Sequence, residues 1–321
     1  MKDAWGRTIE YVRLSLTDAC NFCCPYCRPA EITPQSQTQL LSVDEWMTIL
    51  GAFHHIGVKA VRLTGGEPLL YPHIEELLGR IKESGWFEDI SMTTNGSLLA
   101  SRAQRLKKFG LNRVNISLDS LETEAFATCV GKAGQLESVL DGIRSAINAN
   151  FKSVKINTVL SRYWSDDEVK SLLQYVEKWP VVWRFIEYMP FQGDAFHGPT
   201  FDEWKEQLER VSGGSLTEVH SVYGFGPATY LALPSGKAVG FIFSMSHSYC
   251  DTCNRVRLTS DGQMRLCLLR DDEADLVSLV RNGATAEMLA EHIERALQRK
   301  QERHDGIGMD QPERPMWRIG G

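Results

Sequence analysis

The chain has 321 residues, of which 43% are hydrophobic and 24% charged, with a formal net charge of -6. That length fits one barrel-sized domain plus a smaller one, or two ordinary domains. The acidic balance argues against a broad nucleic-acid-binding face but leaves room for a few arginines around a compact anion. No run of about 18 apolar residues is present, so no transmembrane helix is expected. The polar start, Met1 to Arg7, lacks the apolar core of a signal peptide, which predicts a cytoplasmic protein. In a reducing compartment, clustered cysteines point to metal or catalysis rather than disulfides.

Strand-like and helix-like runs alternate through the first two thirds. The expected strands are Tyr11–Leu16, Val58–Leu63, Asp89–Thr93, Arg113–Leu118, Ser153–Leu160 and Val181–Tyr188, rich in Val, Ile, Leu and Tyr. Ser42 with Glu45 forms a capping box before one helix, and Ser165 with Glu168 another before Val169–Trp179. Asp202–Val211 reads as a sixth helix. Six βα units imply a parallel sheet with right-handed crossovers, either an incomplete (β/α)6 TIM-like barrel or an open sheet. In such folds ligands bind at the carboxyl ends of the strands. The unusual residues lie there: Thr17 to Cys20, Thr64 to Pro68, Thr94 to Gly96, Asp119-Ser120 and Met189-Pro190. The alternation stops near Gly213. Residues 1–213 are therefore read as the barrel and 214–321 as a smaller C-terminal domain, with one further helix at Ala286–Arg299.

Seven of the eight cysteines fall in two groups. Cys20, Cys24 and Cys27 put three thiolates in one loop, with Cys23 as an extra thiol. Thiolates favour iron–sulfur clusters and other soft metals. Three ligands on a cubane leave one iron open to chelation by a second molecule. Structural zinc is the alternative, but it wants a fourth ligand and none is near. Gly65-Gly66-Glu67-Pro68, after the second strand, allows close backbone approach through its glycines, and Glu67 could pair with an ammonium. The second group is Cys250, Cys253 and Cys267. Asp261-Gly262 signals a two-residue hairpin. If Ser260 pairs with Gln263, Val256 faces Cys267 and the third cysteine returns toward the first two. Arg255 and Arg257 share one side of that strand and suit a phosphate clamp. Cys129, alone in a helical pattern, reads as a packed thiol.

The Cys-x3-Cys-x2-Cys loop with Tyr26 before its last cysteine is the signature of the radical S-adenosylmethionine superfamily. The full order of motifs resembles one family within it, the GTP 3′,8-cyclases. These motifs are Gly6-Arg7, Arg13 to Ser15, the Cys20 loop, Arg62 to Pro68, Thr93 to Gly96, Asn115 to Asp119, Arg184 to Glu187, the Cys250 segment and the final Gly320-Gly321. The resemblance implies conversion of GTP to 3′,8-cyclo-7,8-dihydroguanosine triphosphate in molybdenum-cofactor biosynthesis. It implies two [4Fe–4S] clusters and S-adenosylmethionine as cofactors. It assigns Cys20, Cys24 and Cys27 to one cluster, and Cys250, Cys253 and Cys267 to a second that binds guanine. Tyr26, Gly65, Gly66, Glu67, Ser117, Arg184 and Met189 would contact S-adenosylmethionine. Arg13, Arg62, Thr93, Lys155, Arg255, Val256 and Arg257 would contact GTP. Arg255, Arg257, Gly320 and Gly321 would serve the chemistry, the tail by entering the site.

A low-potential electron donor and a downstream cyclic pyranopterin monophosphate synthase are the implied partners, with no nucleic acid or membrane; a homodimer is compatible. The chain departs from the family at Ala19, Arg28 and Ala60. Two other readings are a radical S-adenosylmethionine peptide or protein modifier with an auxiliary cluster, and a non-enzymatic metal-binding regulator. The first leaves Arg255 and Arg257 without a phosphate, and the second leaves Gly65 to Pro68 without a purpose.

Overall fold

The computed structural model describes residues 1–28, 40–189, 198–219, 224–304 and 314–320. Six βα units follow one another as expected. They are β1 (Tyr11–Ser15), α1 (Val43–His55), β2 (Ala60–Thr64), α2 (Ile74–Ser84), β3 (Asp89–Thr94), α3 (Ala103–Lys108), β4 (Arg113–Ser117), α4 (Thr123–Val130) with α5 (Leu136–Asn148), β5 (Ser153–Leu160), α6 (Asp166–Lys178), β6 (Val182–Glu187) and α7 (Phe201–Ser212). Strands β1 to β6 pair in sequence order, all parallel. Both expected capping boxes form, Ser42 with Glu45 and Ser165 with Glu168. The second strand begins at Ala60 rather than Val58, because the Val58 amide still bonds Phe53 O and closes the turn after α1.

The later residues build onto both edges of this sheet. β7 (Thr217–Glu218), β8 (Thr229–Ala232) and β9 (Ala238–Ile242) join through β9, which runs parallel to β6. β10 (Arg255–Leu258), β11 (Gln263–Arg265) and β12 (Glu273–Asp275) join through β10, parallel to β1. The order across the sheet is β12-β11-β10-β1-β2-β3-β4-β5-β6-β9-β8-β7. The second cysteine group thus sits on the strand next to the first. Two short helices follow, α8 (Val277–Arg281) and α9 (Ala286–Leu297), and α9 packs on α1.

The two faces of the sheet differ in kind. Val12, Leu14, Val61, Leu63, Met92, Val114, Ile116, Ile156, Trp183 and Phe185 alternate along β1 to β6 and are buried in the apolar core. The intervening positions are polar. Arg184 on β6 donates to Asn115 Oδ1 on β4 at 2.7 Å, and Arg184 also feels Arg62, four strands away. Flat strands at about 4.8 Å spacing would hold β2 and β6 some 19 Å apart. The sheet therefore curls with its polar face inward, as an incomplete barrel does.

The hairpin after the second cysteine pair corrects one expectation. Arg257 faces Arg265 and Leu258 faces Met264, one residue out of the expected register. A two-residue turn of the expected kind needs both central residues at positive φ. Among residues 260–262 only Gly262 has it, at 81°. The turn takes three residues instead: the Gln263 amide donates to Thr259 Oγ1, and the Thr259 amide to Gln263 O. Carried on, this register sets Arg255, not Val256, opposite Cys267.

Candidate active site

The first cysteine loop leaves β1 and is clamped by the loop after β2. The Gly66 amide donates to Thr17 O at 2.6 Å, and the Glu67 amide to Ala19 O at 2.8 Å. A Cβ on Gly65 would stand 2.5 Å from Thr17 O, and one on Gly66 2.4 Å from Ala19 O. The paired glycines thus let this loop lie against the chain's own cysteine loop, beyond any approach to a ligand. Glu67, fully buried, accepts from the Leu69 amide, Thr94 Oγ1 and the Asn95 amide. Three donors on a carboxylate with about four acceptor sites leave little for an ammonium, so Glu67 braces the loop. Burial, opposed by those donors, pushes its pKa up to about 7. Asn95 in turn points Nδ2 at Asn21 Oδ1 (2.8 Å) and at Cys20 Sγ (3.9 Å). Tyr26 donates to Asp119 Oδ2 at 2.6 Å, tying the last cysteine's neighbour to the end of β4.

The two cysteine groups lie in opposite electrostatic settings. Burial pushes the thiols of Cys20, Cys24 and Cys27 up, Cys27 to about 12, and neighbouring acidic groups add to the rise. Cys250, Cys253 and Cys267 line one cavity with Arg255, Arg257, Leu266, Lys300 and His304. Burial raises Cys250 and Cys253 too, but His304 and Ser248 bring Cys250 down to about 6, and Lys300 and Arg255 lower Cys253. The cavity's all-thiolate ligand set, with apolar Leu266, Leu268 and Leu269 around it, fits an iron–sulfur cluster. Among the described residues no three His, Cys, Asp or Glu side chains are gathered as tightly as a single metal ion would need.

Between the two groups lies a cationic chamber. Arg257, Arg13 and Arg62 are direct cross-strand neighbours on β10, β1 and β2. Arg255, Arg113, Lys155 and Arg184 share that polar face. Its one carboxylate on β1 to β6 and β10 is Asp89, which takes Arg113 Nε at 2.6 Å and a second contact from the same guanidinium. Like charges one strand apart repel by about 3 kcal/mol per pair at an effective dielectric near 20. Burial and this repulsion lower Arg13 and Arg62, hold Arg184 and Arg257 at about 10, and drop Lys155 to about 6. Thr93 Oγ1, Ser15 Oγ, Tyr11 Oη and Arg255 Nε are buried there with no hydrogen-bond partner among the described residues. Each such group costs about 1–3 kcal/mol until something pairs with it. The chamber is built for a polyanion.

The other expected site residues fall around this chamber. Ser117 ends β4, Met189 follows β6, and Val256 lies on β10 with its side chain buried, away from Arg255 and Arg257. Gly320 is buried beside Thr64 and Ser15, and its carbonyl accepts from Arg257 Nη1 at 3.0 Å. Gly321 and Pro190 lie outside the described residues. Arg113, Asp89 and Lys300 were missed. For Arg113, the sequence signal was a cation alternating with apolar residues in a strand, as at Lys155.

A curled parallel sheet, a clamped three-cysteine loop and a Gly-Gly-Glu-Pro turn define a radical S-adenosylmethionine enzyme. Residues 14–176 match the Radical SAM superfamily, and residues 181–306 match Molybdenum Cofactor Synthesis C. The chain is 38% identical over 326 residues to a GTP 3′,8-cyclase of Pelotomaculum thermopropionicum, covering 100% of both. It is 39% identical over 311 residues to that of Marinobacter nauticus, covering 95% of this chain and 93% of the relative. The chain belongs to the GTP 3′,8-cyclase family and is a radical S-adenosylmethionine enzyme of molybdenum-cofactor biosynthesis. Its cofactors are S-adenosylmethionine and two [4Fe–4S] clusters.

Among solved structures, Streptococcus suis SuiB bound to S-adenosylmethionine shares the fold, with a TM-score of 0.64 at 16% identity over 84% of this chain. The chain spans 64% of SuiB's length. HydG, a maturase of the [FeFe]-hydrogenase, matches at a TM-score of 0.51 over 64% of this chain and 49% of its own. Among the described residues no helix is long and apolar enough to cross a membrane.

Proposed function

We propose that the chamber holds GTP, with its triphosphate on the row Arg257, Arg13 and Arg62 and its guanine turned toward Cys250, Cys253 and Cys267. The observation that carries this reading is the run of three adjacent arginines, a repulsive arrangement that a triphosphate neutralises. Lys155, Arg255 and Thr93 complete the wall. Cys20, Cys24 and Cys27 hold the first cluster, and Cys250, Cys253 and Cys267 the second. Tyr26, Gly65, Gly66, Ser117, Arg184 and Met189 would hold S-adenosylmethionine.

Held by Cys20, Cys24 and Cys27, a reduced cluster would supply one-electron cleavage of S-adenosylmethionine, the radical chemistry needed to take hydrogen from the ribose C3′ of GTP. The chain's residues fix the geometry: the arginine row sets the depth of the nucleotide, and Cys250, Cys253 and Cys267 would hold the second cluster beside its base. Gly320, held by Arg257, covers the chamber against water. A low-potential electron donor feeds the first cluster in the cytoplasm, and cyclic pyranopterin monophosphate synthase takes the product. The domain division at residue 213 assigns the first cluster to residues 1–213 and the second to 214–321. A peptide substrate is disfavoured, since it brings no charge to match the chamber.

GTP binding is then coupled to a proton. Arg184, Arg113, Arg62 and Asp89 face Lys155, whose pKa of about 6 is set first by burial and then by those arginines. A bound triphosphate raises that pKa. The bound form therefore carries more protons, and affinity falls as pH climbs above about 6 toward the bound-state pKa. Isothermal titration of the anaerobic holoenzyme with GTP between pH 7 and 9 is expected to show affinity falling by up to about tenfold per unit. Lys155→Met flattens the profile and binds more weakly throughout. A flat wild-type profile contradicts the placement of triphosphate beside Lys155.

A further inference from the structure

Residues 314–320 run from the β10–β11–β12 hairpins to the first cysteine loop. Arg314 is anchored on the β10–β11–β12 hairpins, with Nη1 2.8 Å from Asp261 Oδ2 and Nε 3.0 Å from Glu273 Oε1. Met316, Trp317, Ile319 and Gly320 are buried. The carbonyls of Ile319 and Gly320 accept from Arg257 Nη1 at 3.3 and 3.0 Å. Among the described residues, one side chain joins this segment to the first cysteine loop. Arg28, directly after Cys27, donates from Nη1 to Cys20 O at 3.3 Å and lays its guanidinium 5.6 Å from the Trp317 ring centroid. Arg318 lies 5.0 Å from the same ring but is exposed and belongs to the segment itself, so it cannot tie the segment to another element.

We propose that Arg28 is a positioning residue that docks the C-terminal segment onto the first cysteine loop, so that assembly of the first cluster draws the tail over the GTP chamber. The proposal rests on the site reading above, since the docked tail reaches Arg257. Physically, a planar guanidinium can bond a carbonyl at its edge while stacking on an indole with its face. The edge bond to Cys20 O exists only when the loop from Cys20 to Arg28 is folded back on itself, which shared ligation of a cluster by Cys20, Cys24 and Cys27 enforces. Trp317 then has its cation in place, and the Ile319 and Gly320 carbonyls lie within reach of Arg257. Without the cluster the loop is released, and the stacking partner leaves with it.

Amide hydrogen exchange of residues 314–320, measured without nucleotide, reads the docking directly. In wild-type protein, amides of Trp317 to Gly320 are expected to exchange at least about tenfold more slowly after anaerobic cluster reconstitution than in the cluster-free chain. Arg28→Met, unbranched and apolar, keeps the iron content of both clusters but loses that protection. Arg28→Lys restores only part of it, having charge without a planar face. Trp317→Phe retains partial protection, and Trp317→Leu does not. Protection in Arg28→Met equal to wild type overturns the proposal, as does loss of iron in that variant, which would make Arg28 a brace of the cluster loop alone. Because exchange is read without GTP, failure of GTP to bind the wild type would count against the site reading and not against the docking.

Discussion

Cys24→Ala is expected to abolish reductive cleavage of S-adenosylmethionine while leaving about half of the iron in place, near four atoms per chain instead of about eight. The two cysteine trios are independent in structure. The first lies half-buried between β1, the Gly65 to Pro68 loop and Asn95, and its thiols sit well above their ordinary range until a metal displaces the protons. The second lies on β10 and its hairpin in positive surroundings. Cys23 is not expected to substitute for Cys24. Its sulfur donates to Arg28 O at 3.7 Å, and its amide is bound to Val130 O at 2.9 Å, which holds it toward α4. Cys23→Ser should therefore retain full iron and cleavage. Iron and labile-sulfide analysis of both variants checks this, and loss of iron in the serine variant would reassign the ligand.

Arg257→Ala should lower kcat/KM for GTP by roughly 30- to 3,000-fold, the range expected when one partner of a buried charge contact is removed at about 2–5 kcal/mol. Arg257 carries two loads. It stands in the row with Arg13 and holds the carbonyls of Ile319 and Gly320. Its loss should raise KM through the phosphate and lower kcat through the released tail. Arg255→Ala should cost less, because Arg255 is only half-buried and stacks 5.0 Å from Tyr249. Steady-state kinetics on both variants, with cluster content matched, separates the effects. Equal loss in the two variants, confined to KM, would leave the tail contact without consequence.

Much of this site was legible in the sequence, for identifiable reasons. Short-range patterns survive folding: the capping boxes at Ser42 and Ser165, the βα alternation and the cysteine spacings need only local geometry. The positions of the six strand ends followed from that alternation, which is why Cys20, Gly66, Asn95 and Asp119 could be placed together in advance. The hairpin register was not legible, because Asp261-Gly262 supports two turns, and the choice between them lies with the Thr259 hydroxyl two and three residues before them. The cationic chamber was legible only through the family resemblance, which named Arg13, Arg62, Lys155, Arg184, Arg255 and Arg257 but not Arg113 or Asp89. Arg62, Arg113, Lys155 and Arg184 are scattered over more than a hundred residues, and only curling of the sheet brings them face to face. The extension of both sheet edges by β9 and β10 was equally hidden, since nothing local in a short strand names its neighbour. Arg28 read as a departure from the family and proves to touch the buried Trp317.

The most direct test of the account is nucleotide-dependent cleavage of S-adenosylmethionine. Anaerobically reconstituted protein, given S-adenosylmethionine and a strong reductant, should form 5′-deoxyadenosine rapidly with GTP, more slowly with GDP, and at background level with guanosine, following the charge presented to the arginine row. Formation of 5′-deoxyadenosine at one rate with GTP, with guanosine and with no nucleotide, both clusters being intact, would contradict the claim that the buried cations of the barrel hold a triphosphate between the two cysteine trios.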